Sequence, residues 1–259
     1  WTWDDLVAAG QTITKADQNI WGMQMISPWI LTKGNLLFAA GGANHSADFS
    51  KSLLDAPETI ETFKWNWDLV YTHKIAPAPG PQSQTNPFMS GQVAMVLDGV
   101  WWIADFASIT DFGWDIALQP KHPRTGKRTT SLESDGWWLF KNAANPDMAW
   151  SLLQFLSNEA GQQRFSELNY VVPSAYPDVA QAWYDQKPPD NRPKALENIV
   201  QDSAKVDYTY FDFFNTFDAY RPPIEKAYSD GDDIEAAMAE AAQIHNEELT
   251  KSWEKFRQA

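Results

Sequence analysis

Apolar positions recur at helical spacing over much of the chain. In the stretch opened by Asp55-Ala56-Pro57, Ile60, Phe63, Trp67, Val70 and Tyr71 fall on one stripe, which predicts an amphipathic helix with that stripe in the core. Thr2-Trp3-Asp4-Asp5 has the form of a capping box, so a helix is expected from about Trp3 to Thr12. Ser27-Pro28 predicts another from Trp29 to Ala40, ended by Gly41-Gly42. Short apolar runs at Val93–Leu97, Trp114–Leu118 and Gly136–Phe140 have strand length. A helix is expected from Val100 to about Ala107, and Pro120–Thr130 reads as a hairpin-like turn with Arg124-Thr125-Gly126-Lys127 as a solvated tip. Asn145-Pro146 opens a helix whose buried face would be Ala149, Leu152, Leu153 and Leu156, and Ser157 would cap the next, to about Leu168. Beyond a Pro/Asp/Asn linker at 187–193 come a helix over Lys194–Asp202, an aromatic run over Tyr208–Tyr220, and a final helix that starts after Asp230-Gly231-Asp232 and runs to about Phe256.

The densest local signal is Ser90-Gly91-Gln92-Val93-Ala94-Met95-Val96-Leu97-Asp98-Gly99-Val100-Trp101-Trp102. It reads as a tight turn, a buried strand, an Asp-Gly turn, and an aromatic pair opening a helix. Ligands of open α/β sheets bind beyond the carboxyl ends of strands. An indole face beside a carboxylate at that place suits a sugar: the ring covers the C–H face and the carboxylate accepts from hydroxyls. Trp102, adjacent on the helix, faces away and is expected in the core.

Composition narrows the classes. The length, 259 residues, allows one large domain or two small ones, and 14 tryptophans stand out. Most of them serve the core, and a minority clustered at strand ends would form a stacking surface. A net charge of −14 argues against nucleic acid and anionic membranes, which need a basic footprint. The absence of cysteine removes disulfides, thiolate metal sites and cysteine nucleophiles. No apolar run has the length of a membrane-spanning helix, and no signal peptide is present, so the chain is expected to be processed, trimmed or a fragment.

The usual catalytic motifs do not occur. His45, His73, His122 and His245 lack zinc-site spacing, and there is no G-x-S-x-G elbow, Walker loop or G-x-G-x-x-G. Asp230, Asp232 and Asp233 lack the spacing of a calcium loop, and acids at a helix start need no metal to explain them. No metal or cofactor is expected. Asp98 with Glu133 or Asp135 could supply the two carboxylates of a glycoside hydrolase, and a non-catalytic sugar site would use the same residue types.

Several blocks resemble family 1 extracellular solute-binding proteins, the maltose/oligosaccharide receptors of ABC importers. Thr2-Trp3-Asp4-Asp5-Leu6 resembles that family's "TWDEL" helix start, and Phe88-Met89-Ser90-Gly91-Gln92-Val93-Ala94-Met95 its "F-x-x-G-x-x-A-M" block. Asp98-Gly99-Val100-Trp101 resembles the following segment, whose aromatic stacks on sugar. Gly136-Trp137-Trp138-Leu139-Phe140-Lys141-Asn142 resembles the strand returning to the other lobe, and Asn145-Pro146-Asp147-Met148-Ala149-Trp150 the "N-P-E-x-A-W" helix start. The blocks occur in order over nearly the whole chain.

The resemblance implies an α/β, periplasmic-binding-protein-like (type II) two-lobe fold that closes on its ligand like a hinge. The family's "TWDEL" helix lies well inside its chains, so this sequence is expected to hold mostly the C-terminal lobe with a segment of the N-terminal lobe. The implied division is 1–132 for the first part of the C-terminal lobe, 133–180 for the returning segment, and 181–259 for a hinge and closing helices, with crossings near Leu132 and Ala180–Pro193. The returning segment would then leave its apolar face exposed or repacked.

The implied function is non-enzymatic: a neutral sugar or oligosaccharide bound in an interlobe cleft and delivered to ABC permease subunits, in the periplasm or tethered outside a bacterial cell. The residues carried over are Trp101 as the stacking aromatic and Trp29 as a cleft-lining aromatic. Asp98 and Asn44 would supply polar groups, Asp135 and Gly136 would lie at the crossing, and Trp137 would extend the platform. A late aromatic wall is expected within Tyr210–Phe214. Few basic residues lie near these turns, which favours a neutral ligand over a phosphorylated one. The alternatives are the hydrolase and a receptor for a polyol or glycerol-phosphate-type solute.

Overall fold

The computed structural model describes residues 1–79, 86–131, 134–168, 172–195, 197 and 213–258. It divides into two compact units: Trp1–Asp98, Gln119–Leu132 and Asn198–Ala259 form unit 1, and Gly99–Leu118 with Glu133–Glu197 form unit 2. Against the expected 1–132, 133–180 and 181–259, the run that follows Asp98 groups with unit 2, and so does the chain from 181 to 197.

In unit 1 the expected capping box opens α1 (Trp3–Ile13). Thr2 Oγ1 accepts the Asp5 N–H at 3.3 Å, and the Asp5 carboxylate accepts the Thr2 N–H at 2.8 Å. The second expected helix is two, α2 (Pro28–Thr32) and α3 (Asn35–Ala40). Gly34 between them sits at φ +91°, and a Cβ there would lie 2.0 Å from the Phe38 ring. The apolar pattern runs through this break because nearly all of both helices is buried, while the glycine lets the backbone turn.

On α4 (Pro57–Tyr71) the buried face is rotated from the expected stripe. Phe63, Leu69 and Val70 are buried together with Thr59, Thr62 and Asn66, whereas Ile60, Trp67 and Tyr71 are half-buried. The polar residues go inward because irregular backbone packs there. Asn66 Oδ1 accepts the Ile26 N–H at 2.9 Å, and its Nδ2 donates to the Ile26 carbonyl at 2.8 Å. Thr59 Oγ1 donates to the Ala43 carbonyl at 3.0 Å and accepts the Ala43 N–H at 3.3 Å.

The turn around Arg124 is not merely solvated. Arg124 Nη2 donates to the Ala40 carbonyl at 2.9 Å and to Glu61, and Thr125 Oγ1 donates to the Ala39 carbonyl at 2.6 Å, so this turn satisfies the end of α3. Buried His122 braces it: Nδ1 accepts the Arg124 and Thr125 N–H groups at 3.2 and 3.3 Å, while Nε2 faces Glu61 at 3.1 Å.

The rest of the unit 1 core comes from α9 (Phe213–Asp230) and α10 (Ile234–Gln258), which pack on each other, with α10 also against α4. Asp233 caps α10 through the Glu235 N–H at 2.9 Å, the helix-start role that acids there take without a metal. His245 of α10 is buried between the Tyr220 ring, 4.6 Å away, and Ser52 Oγ, 3.1 Å from Nδ1. Burial, with His45 nearby as the smaller cause, pushes its pKa down to about 3.

The strand expectation is met only in part. Trp21 and Val93 form a parallel bridge, extended by Trp21 N–H to Gln92 O at 2.8 Å, Ala94 N–H to Trp21 O at 3.0 Å and Gln24 N–H to Met95 O at 3.0 Å. Trp114–Leu118 and Gly136–Phe140 form no strand among the described residues. A strand pattern sets which side chains point where, but a strand also needs a partner edge.

Unit 2 holds α5 (Trp102–Phe106), α6 (Pro146–Ser157), α7 (Glu159–Glu167) and α8 (Pro177–Tyr184). Asn158, not Ser157, caps α7, accepting the Gly161 N–H at 2.9 Å. The expected buried face of α6 is not buried: Leu152 is exposed, and Ala149, Leu153 and Leu156 are half-buried. Trp138 is 86% exposed, Phe140 82% and Met148 68%, with Trp150 and Phe155 exposed beside them in sequence. This is a large apolar surface for a water-facing protein. The helix expected over 194–202 falls largely outside the described residues.

Three outcomes are expected. Asn66→Ala leaves the Ile26 N–H and carbonyl buried without partners and should cost about 2–4 kcal/mol, read by urea unfolding. The unfolded chain protonates His245 near pH 6.5 and the folded chain only near 3, so stability present above 6.5 is lost as pH falls through that window. His245→Gln should shrink the loss between pH 7 and pH 5 by up to about 2 kcal/mol. Trp138→Lys with Phe140→Lys should lower binding of an apolar fluorescent dye and self-association in sedimentation, with the melting temperature of unit 1 unchanged.

Candidate functional site

Ser27, Pro28 and the two parallel-paired runs place the unit 1 candidates. The Ser27 side chain accepts the Ile30 N–H at 3.3 Å and Pro28 takes the first helical position, which sets Trp29 in the first turn of α2. Trp29 is half-buried. The Phe217 ring meets it edge-on at 5.0 Å and 70°, and Lys33, one turn on, brings Nζ to 4.6 Å over the indole. Phe217 itself leans on Tyr220 at 5.5 Å. The runs at 21–24 and 92–95 point the same way, so Trp29 and exposed Asp98 follow the same, carboxyl ends of that pair.

Asn44 stands apart from this surface. It is buried, and Nδ2 donates to the Thr32 carbonyl at 2.6 Å, so its amide ties the loop after α3 to the end of α2. Of the two cations near Trp29, Arg221, over the Phe217 ring, pairs with Asp218 at 3.1 Å and Glu225 at 3.0 Å, and Lys33 lies over the indole itself.

Unit 2 carries the remaining candidates. Trp101 is half-buried and its indole folds back over Gly99, where a Cβ would lie 2.1 Å from the ring. Gly99 is therefore fixed by the indole that covers it. Trp102 packs parallel to Phe106 at 5.7 Å and 14°, a packing role as expected. Asp135, Gly136 and Trp137 are exposed, a Cβ on Gly136 would meet nothing within 4 Å, and Trp137 stacks on Phe165 at 5.4 Å and 25°. Trp29, Asn44 and Asp98 thus belong to unit 1, and Trp101, Asp135, Gly136 and Trp137 to unit 2.

Phe217 and Lys33 were not singled out by the sequence. The aromatic wall expected at 210–214 falls among side chains outside those described, as does Glu133. The spacing of Phe217 and Tyr220 on a helix was the signal that could have found the residue behind Trp29. Among the described residues no cluster of His, Asp or Glu gathers to hold a metal, and no helix is long and apolar enough to cross a membrane.

Comparison with known proteins follows this geometry. The sequence profile of the bacterial extracellular solute-binding protein family matches residues 1–163. A maltotriose-binding protein of Pyrococcus abyssi is 30% identical over 125 residues, 46% of this chain and 27% of that protein. An arabinooligosaccharide-binding protein of Halalkalibacterium halodurans is 23% identical over 192 residues, 66% of this chain and 40% of that one. Among solved structures, the ABC substrate-binding protein of Listeria monocytogenes in complex with cycloalternan superposes with a TM-score of 0.81 at 22% identity, over 96% of this chain and 64% of that one. The maltose/maltodextrin-binding domain of Bdellovibrio bacteriovorus bound to maltotriose gives 0.74 at 22%, over 95% and 66%. The chain therefore spans well under half of these curated relatives and about two thirds of the structural neighbours. The likeness places it in the expected fold class, and the hydrolase alternative falls because the family comprises binding proteins, not enzymes. With residues 1–163 matching the family profile and nearly all of its length matching the fold, the chain belongs to the bacterial extracellular solute-binding proteins.

Proposed function

We propose that this chain is part of a receptor that binds a neutral sugar or oligosaccharide outside the cell membrane and delivers it to ABC permease subunits. The observation that carries the reading is the half-exposed Trp29 indole, held edge-on by Phe217 beyond the carboxyl end of a parallel pair that also leads to Asp98. An indole face covers the C–H face of a pyranose, and the carboxylate accepts from its hydroxyls. Trp101 and Trp137 are the stacking residues of unit 2, and Asp135 and Gly136 lie beside Trp137 as its polar and open neighbours. Asn44 contributes by fixing the end of α2 behind Trp29.

The neutral ligand class is supported by the net charge of −14 and by the pairing of Arg221 with two carboxylates. The names of the relatives point the same way, since those proteins bind maltotriose and arabino-oligosaccharides. Membership of an extracellular family supports a place in the bacterial periplasm or on a tether at the outer face of the membrane.

The test is a tryptophan-fluorescence titration with maltotriose, an arabino-oligosaccharide and glycerol phosphodiesters. A saturable response to a saccharide is expected, weakened about tenfold by Trp29→Ala and by Trp101→Ala, the loss of roughly 1.4 kcal/mol of stacking. Saccharide binding unchanged in both folded variants would overturn the site. A response to glycerol phosphodiesters alone would overturn the ligand class.

A further inference from the structure

The dipeptide Asp-Gly stands at 98–99, 135–136 and 230–231, and the fold treats the three places differently. An aspartyl carboxyl and the backbone nitrogen that follows it are close enough along the chain to close a succinimide ring. Glycine favours that closure, because no side chain crowds the nitrogen and the backbone rotates freely.

Asp230-Gly231 is held against it. Asp230 ends α9, and its carboxylate pairs with Lys226 Nζ at 3.1 Å. The Gly231 N–H donates to the Ala227 carbonyl at 3.1 Å, so ring closure there means undoing the last turn of a helix. Asp98-Gly99 is covered instead. The Trp101 indole lies over Gly99, 2.1 Å from where a Cβ would stand, and the Gly99 carbonyl accepts the Trp102 N–H at 3.2 Å. Asp135-Gly136 has no such restraint. Both residues are exposed and lie outside helix and strand. Neither makes a hydrogen bond or ion pair with a described residue. A Cβ on Gly136 would meet nothing within 4 Å, so there is space around the peptide that must turn.

We propose that Asp135 is a site of spontaneous backbone isomerisation in the folded chain. The Gly136 nitrogen attacks Asp135 Cγ; the N–Cγ bond forms, and the carboxyl hydroxyl leaves with the amide proton as water. Water then adds back to the succinimide. Opening at Cγ restores aspartate. Opening at the backbone carbonyl breaks its bond to nitrogen and leaves isoaspartate. Only water is released and taken up, and nothing is oxidised or reduced. The isoaspartyl chain runs through Cβ and Cγ, which keeps the charge and adds one atom to the backbone just ahead of Gly136 and Trp137. The reaction needs no ligand, so its test is independent of the sugar-binding reading.

The chain is aged in warm neutral buffer, folded in one sample and unfolded in urea in the other. Peptides holding 98, 135 and 230 are followed by chromatography with electron-transfer mass spectrometry, which separates isoaspartate from aspartate and finds the succinimide as one water lighter. In the folded chain, isoaspartate at 135 is expected to grow about tenfold faster than at 98 or 230, the factor that breaking a helix-end hydrogen bond imposes. In urea the three rates should converge, because the reacting dipeptide is the same. Gly136→Ala, whose Cβ has room, should slow the reaction at 135 by about tenfold with the circular dichroism unchanged. Equal rates in the folded chain, or a lead at 98 or 230, overturn the inference. So does a lead at 135 that persists in urea, since the neighbouring sequence and not the fold would then set it.

Discussion

Unit 1 depends on satisfying the backbone of a segment, 21–26, that is largely buried yet belongs to neither helix nor sheet. Trp21 and Gln24 bond to the run at 92–95, Gly22 donates to Thr14 Oγ1, Met23 donates to Ile75, and Ile26 is held at both ends by Asn66. Each unmade bond in such a place costs the full desolvation of a polar group. The partners therefore come from α1, α4 and two loops at once, and any one of them lost loosens the approach to Ser27-Pro28-Trp29. This is why α4 turns Asn66 inward at a position a purely apolar stripe would have given to a larger hydrophobic residue.

The two units solve their packing in different ways. Unit 1 buries a continuous interior through α2, α3, α4, α9 and α10, and places charged groups such as Glu61 and Arg124 where they close helix ends. Unit 2 has a small interior around Ile103, Trp183 and Tyr184, stiffened by a buried guanidinium, while Trp138, Phe140 and the outer face of α6 meet water. The chain covers about two thirds of the length of these structural neighbours.

Much of the chain was legible in order. The capping box at Thr2, the helix from Pro57 and the proline-opened helix at Asn145-Pro146 all form where local signals put them, because caps and prolines act within one turn. Less legible were events that need a distant partner. The break at Gly34 answers to the Phe38 ring, the turn at Arg124 is folded onto the end of α3, and α8 runs into the stretch from Ala180 that the resemblance implied was hinge. Of the candidate site, Asp98 and Trp101 could be singled out by turn chemistry and Trp29 by the family resemblance, whereas Phe217 behind Trp29 could not.

By itself the sequence determined the class of molecule. Its acidic charge and lack of cysteine exclude whole classes, and the resemblance of its ordered blocks implies an extracellular solute-binding protein, because such features rest on residue type and short-range spacing. Only the tertiary structure decided which of these residues show a face to solvent. Asn44 turns inward to Thr32, Trp29 stays half-exposed against Phe217, and the predicted strand at 136–140 finds no partner among the described residues. The physical reason is that burial and backbone pairing are properties of two segments together, and the pattern along one segment carries no record of the other.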